Sequence, residues 1–152
     1  MNIKIRRAKI NDLKRVIYIT KRAYASPHKK GDLVTRSNEP LDVLDMFLNK
    51  RFGVIVAIHE DKIIGAIRYR VLDGKRLYFY KLAVLKGYRG NKIASRLVRR
   101  VEKIATKMKC KKIFLDCAKE KALPEYYQGH GYKIDRVKKH QNHHDVYMSK
   151  KI

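Results

Sequence analysis

The pattern of apolar and polar residues divides the start of the chain into a strand and a helix. Asn2–Ala8 alternates apolar and polar positions, as a half-buried strand does. Beyond Asn11 or Asp12, either of which can cap a helix, apolar residues recur at helical spacing up to about Tyr24. The predicted inner face of this helix consists of Leu13, Val16, Ile17, Thr20 and Ala23.

The middle of the chain predicts three consecutive strands. The preceding stretch, Ala25–Asn38, has no periodicity and is predicted to be a loop, which leads to a helix starting near Pro40. The strand-like runs are rich in β-branched and aromatic residues, and turn residues separate them, so we expect an antiparallel meander. These runs are Phe52–His59, Lys62–Val71 and Arg76–Val84.

The last third predicts a mixed α/β arrangement. A helix from about Gly90 to Met108 has an apolar face that includes Ile93 and Leu97, and its opposite face is basic. The remaining predicted elements are a strand at Lys112–Asp116, a short helix at Pro124–His130, and strands at Tyr132–Arg136 and Asp145–Lys150. The pattern contains no internal repeat or linker.

Length and composition set limits on the class of protein. With 152 residues and 45% hydrophobic content, we expect one domain with its own core over residues 1–152. No apolar run approaches the roughly 20 residues of a membrane-spanning helix, and the N-terminus is too polar for a secretory signal, so we expect a cytoplasmic protein with no membrane partner. Cys110 and Cys117 flank a predicted strand and would lie about 20 Å apart, too far for a disulfide, which predicts free thiols.

The charge is strongly positive. The formal net charge is +24, from 38 lysine and arginine residues against 14 aspartate and glutamate residues. A field of this sign attracts nucleotides, acidic peptides or RNA. Because the basic residues are scattered from Lys4 to Lys151, as on solvated faces, the compositional explanation takes precedence over a nucleic-acid function.

The clearest chemical feature is the junction between the third strand of the meander and the long helix. The apolar run Leu77–Val84 breaks into a short turn that contains glycine and opens directly into the helix. The first N–H groups of a helix have no intrahelical partner, and the helix dipole adds positive charge there, so a phosphate fits without further machinery. This junction predicts a phosphate-bearing cofactor.

Three matches in a fixed order carry a family resemblance. The strand ending in Leu82-Ala83-Val84 leads to Arg89-Gly90-Asn91-Lys92-Ile93-Ala94, which matches an Arg-x-x-Gly-x-Gly/Ala cradle; the other matches are Tyr126-Tyr127-Gln128-Gly129-His130-Gly131-Tyr132 and the closing strand Val146–Lys150. Over nearly its whole length the chain resembles the GCN5-related N-acetyltransferase (GNAT) superfamily. The resemblance implies an α/β (α+β) GNAT fold, a mixed and mostly antiparallel twisted sheet of about six or seven strands flanked by about four helices.

The same resemblance implies acetyl-coenzyme A (acetyl-CoA) as the cofactor. Its pyrophosphate would lie on the N–H groups of Arg89, Gly90, Asn91, Lys92, Ile93 and Ala94, and its pantetheine along Leu82, Ala83 and Val84. Unpaired N–H groups of Leu82 and Val84 would donate to the thioester carbonyl or the pantetheine arm. Acetyl transfer to a primary amine, by direct attack in a ternary complex, is the implied reaction.

One position departs from the family pattern. Lys92 occupies the place of the motif's first glycine, which reduces the room for close phosphate approach and adds a cation. Lys92 could also simply begin the solvated basic face of the helix. We expect the backbone to bind the pyrophosphate with Lys92 pointing outward, and treat binding of the 3′-phosphate by helix cations as a weaker hypothesis.

Amine attack and departure of the thiolate call for a base and an acid. Tyr127 aligns with the family's acid, although a tyrosine at this place could also only pack between helix and sheet. The glutamate that some family members use as the base is replaced by Tyr78. Asp116 matches an acidic residue of members that acetylate protein N-termini, but it could instead cap a helix or pair with Lys119. A water chain is the third alternative for the base.

The remaining features are less specific. His140, His143 and His144 could ligate a metal, but no matching pair exists elsewhere, so the segment is interpreted as a polar turn and we assign no metal.

The acceptor, a small-molecule amine or a protein or peptide, would be bounded by Tyr24–Asn38 and Arg136–His144, whose composition favours an anionic acceptor. The alternative function is a catalytically silent, basic binding module of the same fold that associates with RNA or the ribosome. A monomer and a homodimer are both compatible with the sequence.

Overall fold

The computed structural model describes residues 1–24, 49, 51–73, 75–119 and 123–152, so the predicted loop at 25–38 and the helix predicted near Pro40 lie outside the described residues. We number the helices and strands in chain order. The elements are β1 (Lys4–Arg7), α1 (Leu13–Tyr24), β2 (Phe52–His59), β3 (Lys62–Leu72), β4 (Arg76–Val84), α2 (Ile93–Lys107), β5 (Lys112–Ala118), α3 (Leu123–Gln128), β6 (Lys133–Lys139) and β7 (His144–Lys151).

The seven strands form one mixed sheet in the order β1-β2-β3-β4-β5-β7-β6. The pairs β1/β2, β2/β3, β5/β7 and β6/β7 are antiparallel, and β4/β5 is parallel. Together with the three α-helices of the described residues, this arrangement confirms the predicted fold class. No helix among the described residues has the length and apolar character that crossing a bilayer requires.

The first of two compact units comprises Met1–Arg70 and Lys81–Val101. Apolar residues of β2, β3 and the two helices form its core, because each element places one apolar face inward. Gly65 on β3 lets helix α2 approach: a Cβ there would lie 3.4 Å from Ile93 and Leu97 side-chain carbons and 3.2 Å from the Ala83 carbonyl oxygen. Helix α2 is thereby seated directly on the end of β4.

The second unit comprises Val71–Tyr80 and Glu102–Ile152. Its core is built from one face of the strands, because buried and half-buried residues alternate along β5. On the buried face Leu77 and Phe79 of β4 lie with Ile113 and Leu115 of β5. The opposite face of these two strands carries Tyr78, Phe114 and Asp116, all of which are half-buried.

The buried face of α1 differs from its prediction. In α1 the buried residues are Val16, Ile19 and Thr20, so Ile19 replaces Ile17 on the inner face. Both isoleucines are apolar, so packing decides which of them is buried. A short 3-10 turn at Ile10–Asp12 precedes α1. Asp12, one of the two predicted helix caps, is the last residue of this turn, and its carboxylate accepts a hydrogen bond from the backbone N–H of Lys9 at 2.7 Å.

The long helix is shorter than predicted. It begins at Ile93 rather than Gly90 and ends at Lys107, and Met108 beyond its end is 40% exposed. Cys110 and Cys117 are free thiols, and both are buried. Burial raises the pKa of Cys110, and burial followed by the nearby Asp116 carboxylate raises the pKa of Cys117 to about 12.

Candidate active site

The turn that joins β4 to α2 is held by its own hydrogen bonds. A single 3-10 turn at Lys86–Tyr88 follows the strand, and the Tyr88 N–H donates to the Leu85 carbonyl at 2.9 Å. The Arg89 guanidinium donates to the Val84 carbonyl at 3.1 Å, and the Asn91 side-chain amide donates to the Tyr88 carbonyl at 3.0 Å. The backbone from Val84 to Asn91 is therefore fixed before any ligand binds.

Two residues of this turn have positive φ angles, Gly90 at +87° and Lys92 at +59°. Glycine accepts such angles without steric cost, whereas a lysine at this φ stores strain. The strain marks the place where a glycine would fit the backbone better, which is the position where the resembled motif has one. Lys92 is also exposed, in agreement with the outward orientation expected from the sequence.

The backbone N–H groups from Gly90 to Ala94 form a row of donors. Within the described residues, none of these five groups donates to another residue, whereas the Arg96 N–H beyond them donates to the Lys92 carbonyl at 3.1 Å. Helix α2, which begins at Ile93, directs its positive dipole end toward the same place. A row of free donors at a helix start fits a diphosphate, and the turn exposes Arg89, Gly90 and Asn91.

Strand β4 is irregular just before the turn. Lys81 has a φ of +54° in the middle of an otherwise extended strand. Tyr24, the last residue of α1, donates its hydroxyl to the Leu82 carbonyl at 2.6 Å, and the Lys81 ammonium lies 5.0 Å from the centre of the Tyr24 ring. Tyr24 thus holds the peptide between Leu82 and Ala83, and sequence reasoning did not predict this contact.

The ladder between β4 and β5 is short. It pairs Arg76 with Lys112, Leu77 with Ile113, and Tyr78 with Phe114, and it has no further pair. The later residues of β5 continue to pair with β7. Among the described residues, the pairing of β4 with β5 therefore ends before Leu82.

Tyr127 lies in an aromatic cluster of the second unit. It is 5% exposed, and its ring centre lies 5.9 Å from those of Phe79 and Tyr132 and 5.1 Å from that of Tyr126. Its carbonyl oxygen accepts from the N–H groups of His130 and Tyr132, which closes the C-terminus of α3. The position of the ring is therefore determined by packing on three sides.

Tyr132 links this cluster to the half-buried carboxylate of Glu102. Its hydroxyl donates to the Glu102 carboxylate at 2.9 Å, and the Lys150 ammonium lies 3.1 Å from the same carboxylate. Burial, followed by the Glu102 charge, raises the pKa of Tyr132 above its ordinary value. Tyr132 is a structural hydrogen-bond donor, and its hydroxyl is committed to Glu102.

Asp116 lies on the other face of β5, away from the buried cluster. Tyr78 donates its hydroxyl to the Asp116 carboxylate at 2.6 Å, and its ring stacks 5.2 Å from both Tyr80 and Phe114. Two alternatives for Asp116 were a helix cap and an ion pair with Lys119. Among the described residues, Asp116 forms neither contact. Sequence reasoning singled out Tyr78 and Asp116 separately; the structure joins them.

The predicted site residues thus fall into three groups. Residues 82–84 and 89–94 form the turn and its donors in the first unit, while Asp116 and Tyr127 belong to the second unit. Within that unit Tyr127 packs against Phe79, whereas Asp116 pairs with Tyr78, and neighbouring strand residues face opposite sides of a sheet. Of the predicted acceptor boundaries, 25–38 lies outside the described residues, and 136–144 forms the hairpin of β6 and β7.

Comparison with known proteins identifies a matching family. A family model described as the acetyltransferase (GNAT) family matches residues 14–132, most of the chain. A search of curated protein sequences found no significant relative.

Solved structures with the same fold share little sequence with the chain. A PaiA N-acetyltransferase from Thermoplasma acidophilum, in complex with coenzyme A, is 20% identical with a TM-score of 0.82, and the match covers 100% of both chains. The ribosomal-protein-S18-alanine N-acetyltransferase from Escherichia coli is 14% identical with a TM-score of 0.82, over 99% of this chain and 94% of that one. An aminoglycoside 6′-N-acetyltransferase complexed with coenzyme A is 20% identical with a TM-score of 0.75, over 97% and 96%. At such identities the likeness shows the fold alone.

Proposed function

Because the chain belongs to the acetyltransferase (GNAT) family, we propose that it transfers an acetyl group from acetyl-CoA to a primary amine. The observation that carries the proposal is the row of five unpaired N–H groups from Gly90 to Ala94 at the start of α2. Coenzyme A contains a diphosphate, and two of the compared structures were solved with coenzyme A. When bound, acetyl-CoA would supply the activated acetyl group.

The turn residues would hold the cofactor mainly through their backbone. The diphosphate would accept from the N–H groups of Gly90–Ala94, with Arg89 directing its guanidinium to Val84. The pantetheine arm would follow Leu82, Ala83 and Val84, where the irregular backbone at Lys81 alters the direction of the Leu82 peptide. We assign to the Leu82 N–H the role of a donor to the thioester carbonyl.

Two side chains would move protons. We assign to Asp116, bonded to Tyr78, the removal of the proton from the attacking amine. Within the described residues its carboxylate accepts a hydrogen bond at one oxygen, and a carboxylate can accept more than one donor. We assign to Tyr127 the donation of its hydroxyl proton to the departing thiolate. Asp116 and Tyr127 lie on opposite faces of the strand pair and would act on different protons, so after the products leave, Asp116 would lose its proton to water and Tyr127 would regain one from water.

The primary test is cofactor binding followed by turnover. Acetyl-CoA at saturating concentration should raise the melting temperature, and release of the coenzyme A thiol should depend on an added amine. A panel of amines that includes an aminoglycoside, a polyamine and a peptide with a free N-terminus would find the acceptor class. If the cofactor does not stabilise the protein and RNA binds with a steep salt dependence, the basic binding module would replace the enzyme.

A matched pair of glycine variants tests the cradle itself. Gly87 and Gly90 both have open space where a Cβ would stand, but only Gly90 has a positive φ. Gly90→Ala therefore strains the backbone that presents the N–H groups, whereas Gly87→Ala does not. We expect weaker acetyl-CoA binding in Gly90→Ala only; equal affinity in both variants would argue against the cradle.

A further inference from the structure

The tip of the β6–β7 hairpin brings together two histidines and one carboxylate. His140 Nε2 lies 3.2 Å from Asp145 Oδ2, and His143 Nε2 lies 3.6 Å from Asp145 Oδ1. One ligand atom from each of the three residues lies within 4.8 Å of those of the other two. Asp145 follows both histidines in the sequence, and the hairpin fold brings its carboxylate beside their rings.

The hairpin backbone holds the three side chains on one side. The His140 N–H donates to the His143 carbonyl at 2.8 Å, which closes the turn, and Lys139 pairs with His144 at the start of the ladder. His143 directly precedes β7, and its Nε2 lies 3.6 Å from the carboxylate of Asp145, the second residue of that strand. The imidazoles of His140 and His143 stack with centres 4.8 Å apart and planes inclined by 16°.

We propose that His140, His143 and Asp145 form a binding site for a divalent transition-metal ion such as Zn²⁺. Two imidazole nitrogens and a carboxylate oxygen are ligands that zinc takes in proteins, with bonds of about 2.0–2.2 Å. In a tetrahedral site such bonds place neighbouring ligand atoms about 3.3 Å apart. The two nitrogen–oxygen distances, 3.2 and 3.6 Å, lie close to that separation.

The orientation of Asp145 supports a site rather than a chance ion pair. Lys138 stands directly across the ladder from Asp145. In the described part of the chain, however, the Asp145 carboxylate oxygens lie beside the two imidazoles and form no ion pair with this lysine. The carboxylate thus faces two side chains that are neutral ligands once deprotonated at Nε2.

Solvent can reach the site. The His140 side chain is 32% exposed, and those of His143 and Asp145 are 20% exposed each, so an ion can enter and water can complete the coordination. Imidazole ligands favour zinc, copper or nickel over magnesium or calcium, which prefer oxygen ligands. Charges more than about 8 Å from the site are largely screened, so Lys138 and Lys139, which pair with Asp145 and His144 across the ladder, are the main charges that oppose a cation there.

The test is a Zn²⁺ titration of protein that carries no polyhistidine tag and has been treated with a chelator. We expect saturable binding of one Zn²⁺ per chain, with no comparable binding of Mg²⁺. His143→Gln and Asp145→Asn should each lower the zinc affinity by about tenfold or more. The controls His59→Gln and Asp135→Asn, which change the same residue types outside the cluster, should leave it unaltered.

A spectroscopic measurement on the unmodified protein makes the test independent of how the variants fold. Zinc should shift the ring ¹⁵N resonances of His140 and His143 and leave that of His59 in place. Absence of saturable binding, equal affinity in the cluster variants and the controls, or shifts at other histidines would overturn the proposal. Because none of these measurements uses turnover, their failure would leave the acetyltransferase proposal unaffected.

Discussion

The Tyr78 hydroxyl donates a 2.6 Å hydrogen bond to the Asp116 carboxylate, at the point where the parallel ladder of β4 and β5 ends. The last residue pair of that ladder is Tyr78 with Phe114, and Asp116 follows Phe114 by two positions on the same face of β5. The bond joins the aromatic residue that replaces a glutamate of the resembled motif to the nearest carboxylate on the neighbouring strand. Although Tyr78 replaces that glutamate, its hydrogen bond holds the carboxylate of Asp116 beside the same position.

Replacing this carboxylate tests whether it acts as the base. Asp116→Asn keeps the size of the side chain and the hydrogen bond from Tyr78 but removes the group that accepts the amine proton. We expect kcat to fall by about 100-fold near neutral pH, since a positioned acid or base contributes at least that factor. Activity should recover partly at higher pH, where more of the amine is already neutral.

Two controls separate catalysis from packing. Asp135→Asn changes a carboxylate on the exposed strand β6 and should leave kcat and KM unchanged. Tyr78→Phe removes only the donor to Asp116 and should lower kcat less than Asp116→Asn. If Asp116→Asn retained full activity across the pH range, the water-chain alternative would be favoured.

The proposed acid is tested by a pair of neighbouring tyrosines. Tyr127→Phe removes the hydroxyl from a ring that packing holds in place, so the fold and the affinity for acetyl-CoA should be preserved while kcat falls by about 100-fold. Tyr126→Phe is the matched control, because Tyr126 lies on the same helix and its ring contacts that of Tyr127. Calorimetry would give the affinity and thiol release the rate; equal rates in the two variants would leave Tyr127 as a packing residue only.

Local pattern was sufficient for most of the fold. The strands β2, β3 and β4 were found within a residue or two, because each has runs of β-branched and aromatic residues between turn residues. The predicted inner face of α1 contained the buried Val16 and Thr20 but missed Ile19 and included the half-buried Ile17; both isoleucines are apolar, and only packing decides which is buried. Met108 was placed on the apolar face of a helix that ends one residue earlier.

Contacts between distant residues were beyond what the pattern could provide. The sequence indicated that Tyr78 and Asp116 deserved notice, but their bond depends on the register of β4 against β5, which no local signal specifies. The same holds for the bond of Tyr24 to the Leu82 carbonyl, which joins residues 58 positions apart. The histidines of the hairpin were visible in the sequence, whereas the role of Asp145 beside them required the turn geometry.

Lys92 offers a test of how the diphosphate is bound. Its φ of +59° costs a lysine about 1 kcal/mol, which glycine does not incur. Lys92→Gly should therefore be more stable than Lys92→Ala, measured by chemical denaturation. If the backbone binds the diphosphate, both variants should keep the acetyl-CoA affinity of the original protein; a similar loss in both would show that the ammonium group contributes to binding.

The buried thiols should resist alkylation. Burial raises the pKa of Cys117 to about 12, so the reactive thiolate is scarcer near pH 8 than for an ordinary thiol by a factor of roughly 1,000. We expect iodoacetamide to modify Cys117 very slowly in the native protein and rapidly in urea, as peptide mass spectrometry would show. Rapid modification of the native protein at pH 8 would contradict both the burial and the raised pKa.

The Asp12 carboxylate should make stability depend on pH. A hydrogen bond from Arg6 lowers the pKa of Asp12 below 3.8, burial opposes this shift, and the Lys9 N–H adds to it. Since the folded-state pKa is the lower one, the stabilisation is fully present above about pH 4 and disappears as the pH falls through the folded-state value. Asp12→Ala should lose about 1 kcal/mol at pH 7, a decrease of about 2–4 °C in Tm for a chain of this size. Because the Arg6 and Asp12 side chains are 35% and 15% exposed, salt should reduce this loss.

The decisive measurement follows the difference between the two proteins with pH. Thermal unfolding of the original protein and of Asp12→Ala should differ at pH 7 and converge as the pH falls through the lowered folded-state pKa of Asp12. Asp135→Asn, which alters an exposed strand carboxylate, should show a smaller difference at pH 7. A difference for Asp12→Ala that stayed constant between pH 7 and pH 2 would mean that the side chain stabilises the start of α1 through packing and not through its charge.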